Sequence, residues 1–263
     1  VIVTKTVRQP DGSVAGARLS GDRGPALIFV HGVGSTAAIW DYQLDAFSDG
    51  YRCASIELRG NGALSDPPPE LITRENFASD VLAVADACGF KTFDLIGCSL
   101  GGVVAFELWQ RVPERFRSMV IVGSFAKYPD GQTYADNIKA AVNAAGDMRV
   151  FAEARAAQLG LPPQRLRETV EQMASKSVPS YLASTQATWT GDYRAVLPSI
   201  AVPVLVTRGE RDGIAPQPLS DEIAAGIPGA KRDIVPNAGH VANADNPEAF
   251  NEMLTDFLEQ LPG

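Results

Sequence analysis

Apolar positions along this chain recur with two different periods, and the switches between them mark out its elements. Short continuous apolar runs at 26–30, 53–58, 93–96 and 118–122 read as buried strands. Between two of them Phe77, Val81, Val84 and Cys88 repeat at steps of four, three and four. That is the stripe of a helix lying on a sheet, with Thr73 placed to cap it and Gly89 to end it. Runs alternating with stripes predict a mostly parallel sheet with helices on its faces. Ahead of them, residues 1–7 and 14–19 flank Pro10, Asp11 and Gly12, which predicts an antiparallel hairpin extending one sheet edge. From 125 to 197 the strand pattern stops and helical stripes take over: Ile138, Ala141, Val142 and Ala145, then Leu166, Val170 and Met173. Buried strands return at 202–207 and 231–235. Asn246, Pro247 and Glu248 then open a last helix, with the cap, the first-turn proline and the acidic residue in favoured places. The expected organisation is one α/β core domain, 1–124 and 198–263, interrupted by a helical lid over 125–197.

Composition sharpens this picture in only a few respects. The chain has 263 residues, and the lid leaves about 190 for the core, the size of a single sheet domain. With 45% hydrophobic and 21% charged residues it is neither disordered nor a coiled coil. A net charge of −8 repels phosphate backbones and anionic lipid, so neither nucleic acid nor a membrane is expected as a partner. No apolar stretch reaches the length of a membrane span, and the Val1-Ile2-Val3-Thr4-Lys5 start lacks a signal-peptide pattern, which points to the cytoplasm. Cys53, Cys88 and Cys98 are too few and too far apart for a disulfide framework or a zinc cage, so they read as packed thiols. No metal is expected, and no glycine loop has the spacing of a nucleotide cofactor site. Histidine is scarcer still: only His31 and His240 can supply an imidazole.

The candidate chemistry begins at Gly97-Cys98-Ser99-Leu100-Gly101-Gly102, where a predicted strand gives way to a helix marked by Val103, Val104 and Leu108. A serine on a sharp strand-to-helix turn holds its hydroxyl outward, and small residues two positions away on either side let strand and helix approach. Ser99 is therefore the candidate nucleophile, against the plainer reading of a helix cap. Cys98 should point away from the exposed corner and be buried.

With His31-Gly32-Val33-Gly34 directly after the 26–30 run and Arg59-Gly60-Asn61-Gly62 after the next, the chain resembles the α/β-hydrolase superfamily. The resemblance implies an eight-stranded, mostly parallel sheet and a triad in the chain order serine, acid, histidine. It departs from the usual pattern at Glu57, where aspartate is common, and by an extra residue before Ser65. It assigns the base to His240, in the loop before the final helix, and the acid to Asp212, with Glu210 as the local competitor. It also implies an oxyanion hole formed by the backbone N–H groups of Val33 and Leu100, with His31 bracing the turn that carries Val33.

Serine at position 99 argues against the branches of the family that use a carboxylate nucleophile, and Val241 after the histidine differs from the tryptophan usual in ring-cleavage carbon-carbon hydrolases. The His31 to Gly34 turn with Trp40 following, the short lid and the length are most similar to small serine carboxylesterases and 3-oxoadipate enol-lactone hydrolases. The expected activity is hydrolysis of a carboxylic ester or lactone by a monomer or homodimer. Carbon-carbon bond hydrolysis or a lyase reaction with the same residues is the alternative. Expected pocket walls are Trp40, Phe125, Tyr128, Trp189 and Val241. One of Arg149, Arg155, Arg165, Arg167 or Arg194 could bind a substrate carboxylate.

Overall fold

The fold follows from runs of residues that are apolar on both sides of a strand. In a computed structural model that describes residues 1–61, 66–157, 161 and 163–261, eight strands form one sheet. They are β1 (Val3–Arg8), β2 (Val14–Ser20), β3 (Ala26–Val30), β4 (Arg52–Glu57), β5 (Phe93–Cys98), β6 (Phe116–Val122), β7 (Val204–Gly209) and β8 (Lys231–Val235), in spatial order β1-β2-β4-β3-β5-β6-β7-β8. β1 pairs antiparallel with β2, and β2 with β4; every later pairing is parallel. The helices are α1 (Asp41–Phe47), α2 (Arg74–Ala87), α3 (Leu100–Arg111), α4 (Gly131–Ala145), α5 (Met148–Ala157), α6 (Pro163–Ala174), α7 (Val178–Trp189), α8 (Gln217–Gly226), α9 (Ala242–Asp245) and α10 (Pro247–Glu259). The segment α4 to α7 stands between β6 and β7.

Helices cover both faces of the sheet, which is why its central strands read as apolar runs and not as alternation. Ile28 and Val30 of β3 and Met119 and Ile121 of β6 join one cluster with α2, α3 and the α4 to α7 segment. Leu27, Phe29, Val120 and Val122 join a second with α1 and α10. Thr73 caps α2 by accepting a hydrogen bond from the Asn76 N–H, and Asn246 caps α10 by accepting one from the Ala249 N–H.

Several strands depart from the apolar pattern in extent or in burial. β5 continues through Gly97 and Cys98 because both stay in register with β6, opposite Ile121 and Val122. β7 begins at Val204, not 202; the Pro203 carbonyl before it only accepts from the Met119 N–H. β8 is an edge strand whose first four residues are exposed, where a buried strand was expected. Gly62 and Ser65, at the second glycine turn, lie outside the described residues.

A buried ion pair missed by periodicity ties the first half of the sheet together. Arg59, 1% exposed, donates to both oxygens of fully buried Asp80 on α2, and its Nη1 lies 2.6 Å from Asp11 Oδ2 in the β1–β2 turn. Burial pushes the Asp80 carboxyl above its usual range, and Arg59 opposes that shift. Asp80→Ala would leave a buried guanidinium with one partly exposed carboxylate, Asp11, and the Leu71 carbonyl. It is expected to cost about 3–5 kcal/mol of unfolding free energy, measurable by urea titration.

Candidate active site

Ser99 is the single residue between the end of β5 and the start of α3, and that leaves the chain no room for a relaxed turn. Its backbone sits at φ 53° and ψ −113°, a region that costs a non-glycine residue about 1–3 kcal/mol. The strain is held by neighbours: Ser99 N–H donates to the Val122 carbonyl at 2.9 Å, and its carbonyl accepts from Ser124 Oγ at 2.8 Å. Strand and helix nearly touch. A Cβ on Gly97 would stand 2.3 Å from the Gly101 carbonyl oxygen, and one on Gly101 would stand 2.2 Å from that of Val30. Ser99 Oγ is buried and has no hydrogen-bond partner among the described residues.

Asp212 and His240 meet across two loops. The loop after β7 turns so that Asp212 Oδ1 accepts from the N–H groups of Ile214 and Ala215, each at 2.9 Å. Both carboxylate oxygens then lie against His240 Nδ1, at 3.0 and 2.9 Å. Because a carboxylate only accepts, the shared proton belongs to Nδ1, and Nε2 is left as the basic nitrogen. Glu210 is occupied elsewhere, its Oε2 accepting from the exposed Asn237 N–H at 2.9 Å. The pair lies next to the serine turn. A Cβ on Gly123, which follows the carbonyl bonded to Ser99, would stand 2.8 Å from Asp212 Oδ2 and 3.4 Å from His240 Nδ1. Cys98 Sγ lies 3.9 Å from the His240 carbonyl oxygen. Cys98 is 1% exposed, and burial, reinforced by the charges of Asp212 and Asp245, holds its thiol far above the ordinary range and so inert.

The turn after β3 closes over the same serine. A Cβ on Gly32 would come within 3.1 Å of Ser99 Cβ. His31, fully buried, braces the turn with Nδ1 at 2.8 Å from the Gly32 carbonyl and Nε2 at 3.3 Å from Glu57 Oε1. The backbone N–H groups of Val33 and of Leu100, the first residue of α3, donate to no partner among the described residues. Two unpaired amides thus stand in the chain beside Ser99 and beside Gly32, which packs on it, and an imidazole oriented by a carboxylate packs on Gly123 next to the same turn.

The profile of the alpha/beta hydrolase family matches residues 27–253. The chain belongs to that family. It is 29% identical to carboxylesterase YbfK of Bacillus subtilis (strain 168) over 240 residues, covering 89% of this chain and 80% of the relative. It is 26% identical to 3-oxoadipate enol-lactonase 2 of Acinetobacter baylyi over 243 residues, covering 90% and 89%. Among solved structures, a hydrolase from Pseudomonas aeruginosa PA01 superposes with a TM-score of 0.88 at 28% identity, covering 97% of this chain and 98% of that one.

In this alpha/beta hydrolase, His240 opens onto a cavity of about 320 Å³ that Val241, Ser35, Tyr134, Arg155, Arg165 and Arg211 also line. Trp40, expected here, is elsewhere: it is fully buried between Phe29 and Phe250, at ring distances of 5.1 and 6.0 Å, in the cluster under α1 and α10. Phe125, Tyr128 and Trp189 form an aromatic cluster with Tyr134, and Tyr134 is the member that lines the cavity; Phe125 and Trp189 are buried behind it. The arginine candidates also separate. Arg149 pairs with Glu171 and Arg194 with Asp192 at the surface, and Arg167 is exposed. Arg155 and Arg165 line the cavity, and Arg155 bonds Tyr134 Oη at 2.7 Å with no carboxylate partner among the described residues.

Periodicity gave no sign of Asp245, whose Oδ2 accepts from the Gly239 N–H at 3.0 Å and so braces the His240 loop. Burial pushes its carboxyl upward against the pull of Arg165. Its place one turn after the histidine was the available signal. Among the described residues no cluster of His, Cys, Asp or Glu is arranged to hold a metal ion, and no helix is long and apolar enough to cross a membrane.

Proposed function

We propose that this hydrolase cleaves a carboxylic ester or lactone through an acyl-enzyme formed on Ser99. The observation that carries the reading is an imidazole whose Nδ1 is held by Asp212, packed at Gly123 against the strained turn that carries the unbonded Ser99 hydroxyl. In the first step Ser99 Oγ attacks the carbonyl carbon and passes its proton to His240 Nε2. The carbonyl π pair moves onto oxygen, where the Val33 and Leu100 N–H groups receive it. Collapse expels the alkoxide, which takes the proton back from His240. Water then repeats the sequence on the acyl-enzyme, releasing the carboxylic acid and regenerating the serine. With a lactone the alcohol stays attached to the acyl group, so one product leaves.

The names of the relatives, a carboxylesterase and an enol-lactonase, support this substrate class. In this reading helices α4 to α7 are the lid, and Tyr134 and Arg155 are its contribution to the pocket. A serine-directed phosphonate followed by peptide mass spectrometry should label Ser99 stoichiometrically. Labelling at another residue, or none, would refute the nucleophile. A panel of simple esters, lactones and carboxylate-bearing esters, with a vinylogous diketone included, should give turnover on the first three and none on the diketone.

A further inference from the structure

Lys176 lies in the short connection between α6 and α7, yet it is 5% exposed. Its Nζ donates to the backbone carbonyl of Ser35 at 2.8 Å, and no carboxylate lies within ion-pair distance of it among the described residues. Burying an ammonium against one neutral acceptor is a poor use of a core position, because desolvation costs more than one hydrogen bond returns. Burial pulls this amine down to about 8, and only the charge of Glu57 opposes the shift. A methionine would fill the same space at less cost, which makes the carbonyl it holds the informative feature.

Ser35 belongs to the turn that carries Val33, and its own N–H closes that turn on the Gly32 carbonyl at 3.2 Å. From beneath, His31 holds the Gly32 carbonyl. From above, the α6 to α7 region covers the turn: a Cβ on Gly34 would stand 3.1 Å from Met173 Cε and 3.5 Å from Tyr181 Cε2. The Val33 amide therefore lies between two grips, a core histidine before it and a lysine of the helical insertion after it. Ser35 also lines the His240 cavity, so the lysine acts at the wall of the site.

We infer that Lys176 is a positioning residue for the oxyanion turn, its ammonium holding the Ser35 carbonyl so that the Val33 N–H keeps its aim at the reacting carbonyl. The inference rests on the ester-hydrolase reading above, and it makes the insertion part of the catalytic frame as well as a cover. Removing an oxyanion donor outright typically costs 10²- to 10³-fold, so loosening one should cost about 10- to 100-fold.

The test compares Lys176→Met, Lys176→Gln and Lys176→Arg with the parent protein. For Ser99-dependent ester hydrolysis, Lys176→Met should lower kcat by about 10- to 100-fold with KM within about threefold, because the lost interaction forms in the transition state. Affinity for a boronate transition-state analogue should fall with kcat/KM. Lys176→Gln and Lys176→Arg, which keep a donor, should recover part of the loss. The thermal midpoint of Lys176→Met should be unchanged or higher. Backbone hydrogen exchange of residues 32–36, read without any substrate, should accelerate in Lys176→Met and less in Lys176→Arg. Unchanged kcat, a kcat loss matched by a fall in thermal midpoint, or unchanged exchange would each overturn the inference. If the parent shows no Ser99-dependent hydrolysis but exchange responds as stated, the ester reading fails and the grip on the turn stands.

Discussion

Ser99→Ala is expected to reduce ester turnover by about 10⁴- to 10⁶-fold, with the protein still folded and KM little changed. The loss is large because the adjacent thiol cannot replace the nucleophile. Cys98 is adjacent, but its thiol is buried and held protonated. What survives should be the catalysis of water by the amides and the pocket alone. Steady-state assays on a nitrophenyl ester, with folding checked by circular dichroism, measure it; residual activity within tenfold of the parent would remove Ser99 from the mechanism. Ser99→Gly should be equally inactive yet more heat-resistant than Ser99→Ala. At φ 53° and ψ −113° glycine relieves strain that alanine retains, and the gain should exceed the extra chain entropy glycine brings to the unfolded state.

The second large effect is expected at the carboxylate. Asp212→Asn should lower kcat by about 10⁴-fold while leaving the fold intact. The two oxygens now at 2.9 and 3.0 Å from His240 Nδ1 fix the proton there. An asparagine can turn its NH₂ toward Nδ1, which drives the proton to Nε2 and leaves the ring unable to accept from Ser99. The imidazolium formed during attack would also lose its counter-charge. Glu210→Gln should stay within a few-fold of the parent, because Glu210 holds only the exposed Asn237 N–H. Parallel measurements of kcat for the two variants decide the matter, and the reverse order would move the acid to Glu210.

Much of the core was legible because its strands are buried on two faces and are written as apolar runs. The run at 26–30 coincides with β3, and the hairpin of β1 and β2 follows its turn residues. The eight-stranded, mostly parallel sheet implied by the family resemblance matches the observed strand number and pairing. Edges were less legible. β5 reaches Cys98 because of pairing with β6, a partner some 25 residues away that local hydrophobicity does not report. β8 has the strand pattern but no cover, since only the sheet order says which strand is last.

At the candidate site the same division holds. Ser99 and His240 could be singled out from the chain because the turn motif is local and imidazoles are rare. Asp212 and Glu210 are two residues apart on one loop, and only the fold shows that the first lies against His240 Nδ1 while the second turns to the Asn237 N–H. Trp40 shows the reverse. An aromatic close in sequence to the oxyanion turn looks like a pocket wall, but the start of α1 sends it to the opposite face, between Phe29 and Phe250. Lys176 carries no sequence signal, because it meets the turn after β3 through one backbone carbonyl 141 residues away, and Asp245 carries only its closeness to His240 in the chain. Periodicity measures how deeply a position is buried within its own element. Which face it joins, and which distant carbonyl, carboxylate or ring it meets there, depends on how separate elements pack. That packing alone brought a lysine of the insertion to the Ser35 carbonyl and an aspartate after β7 to the His240 imidazole.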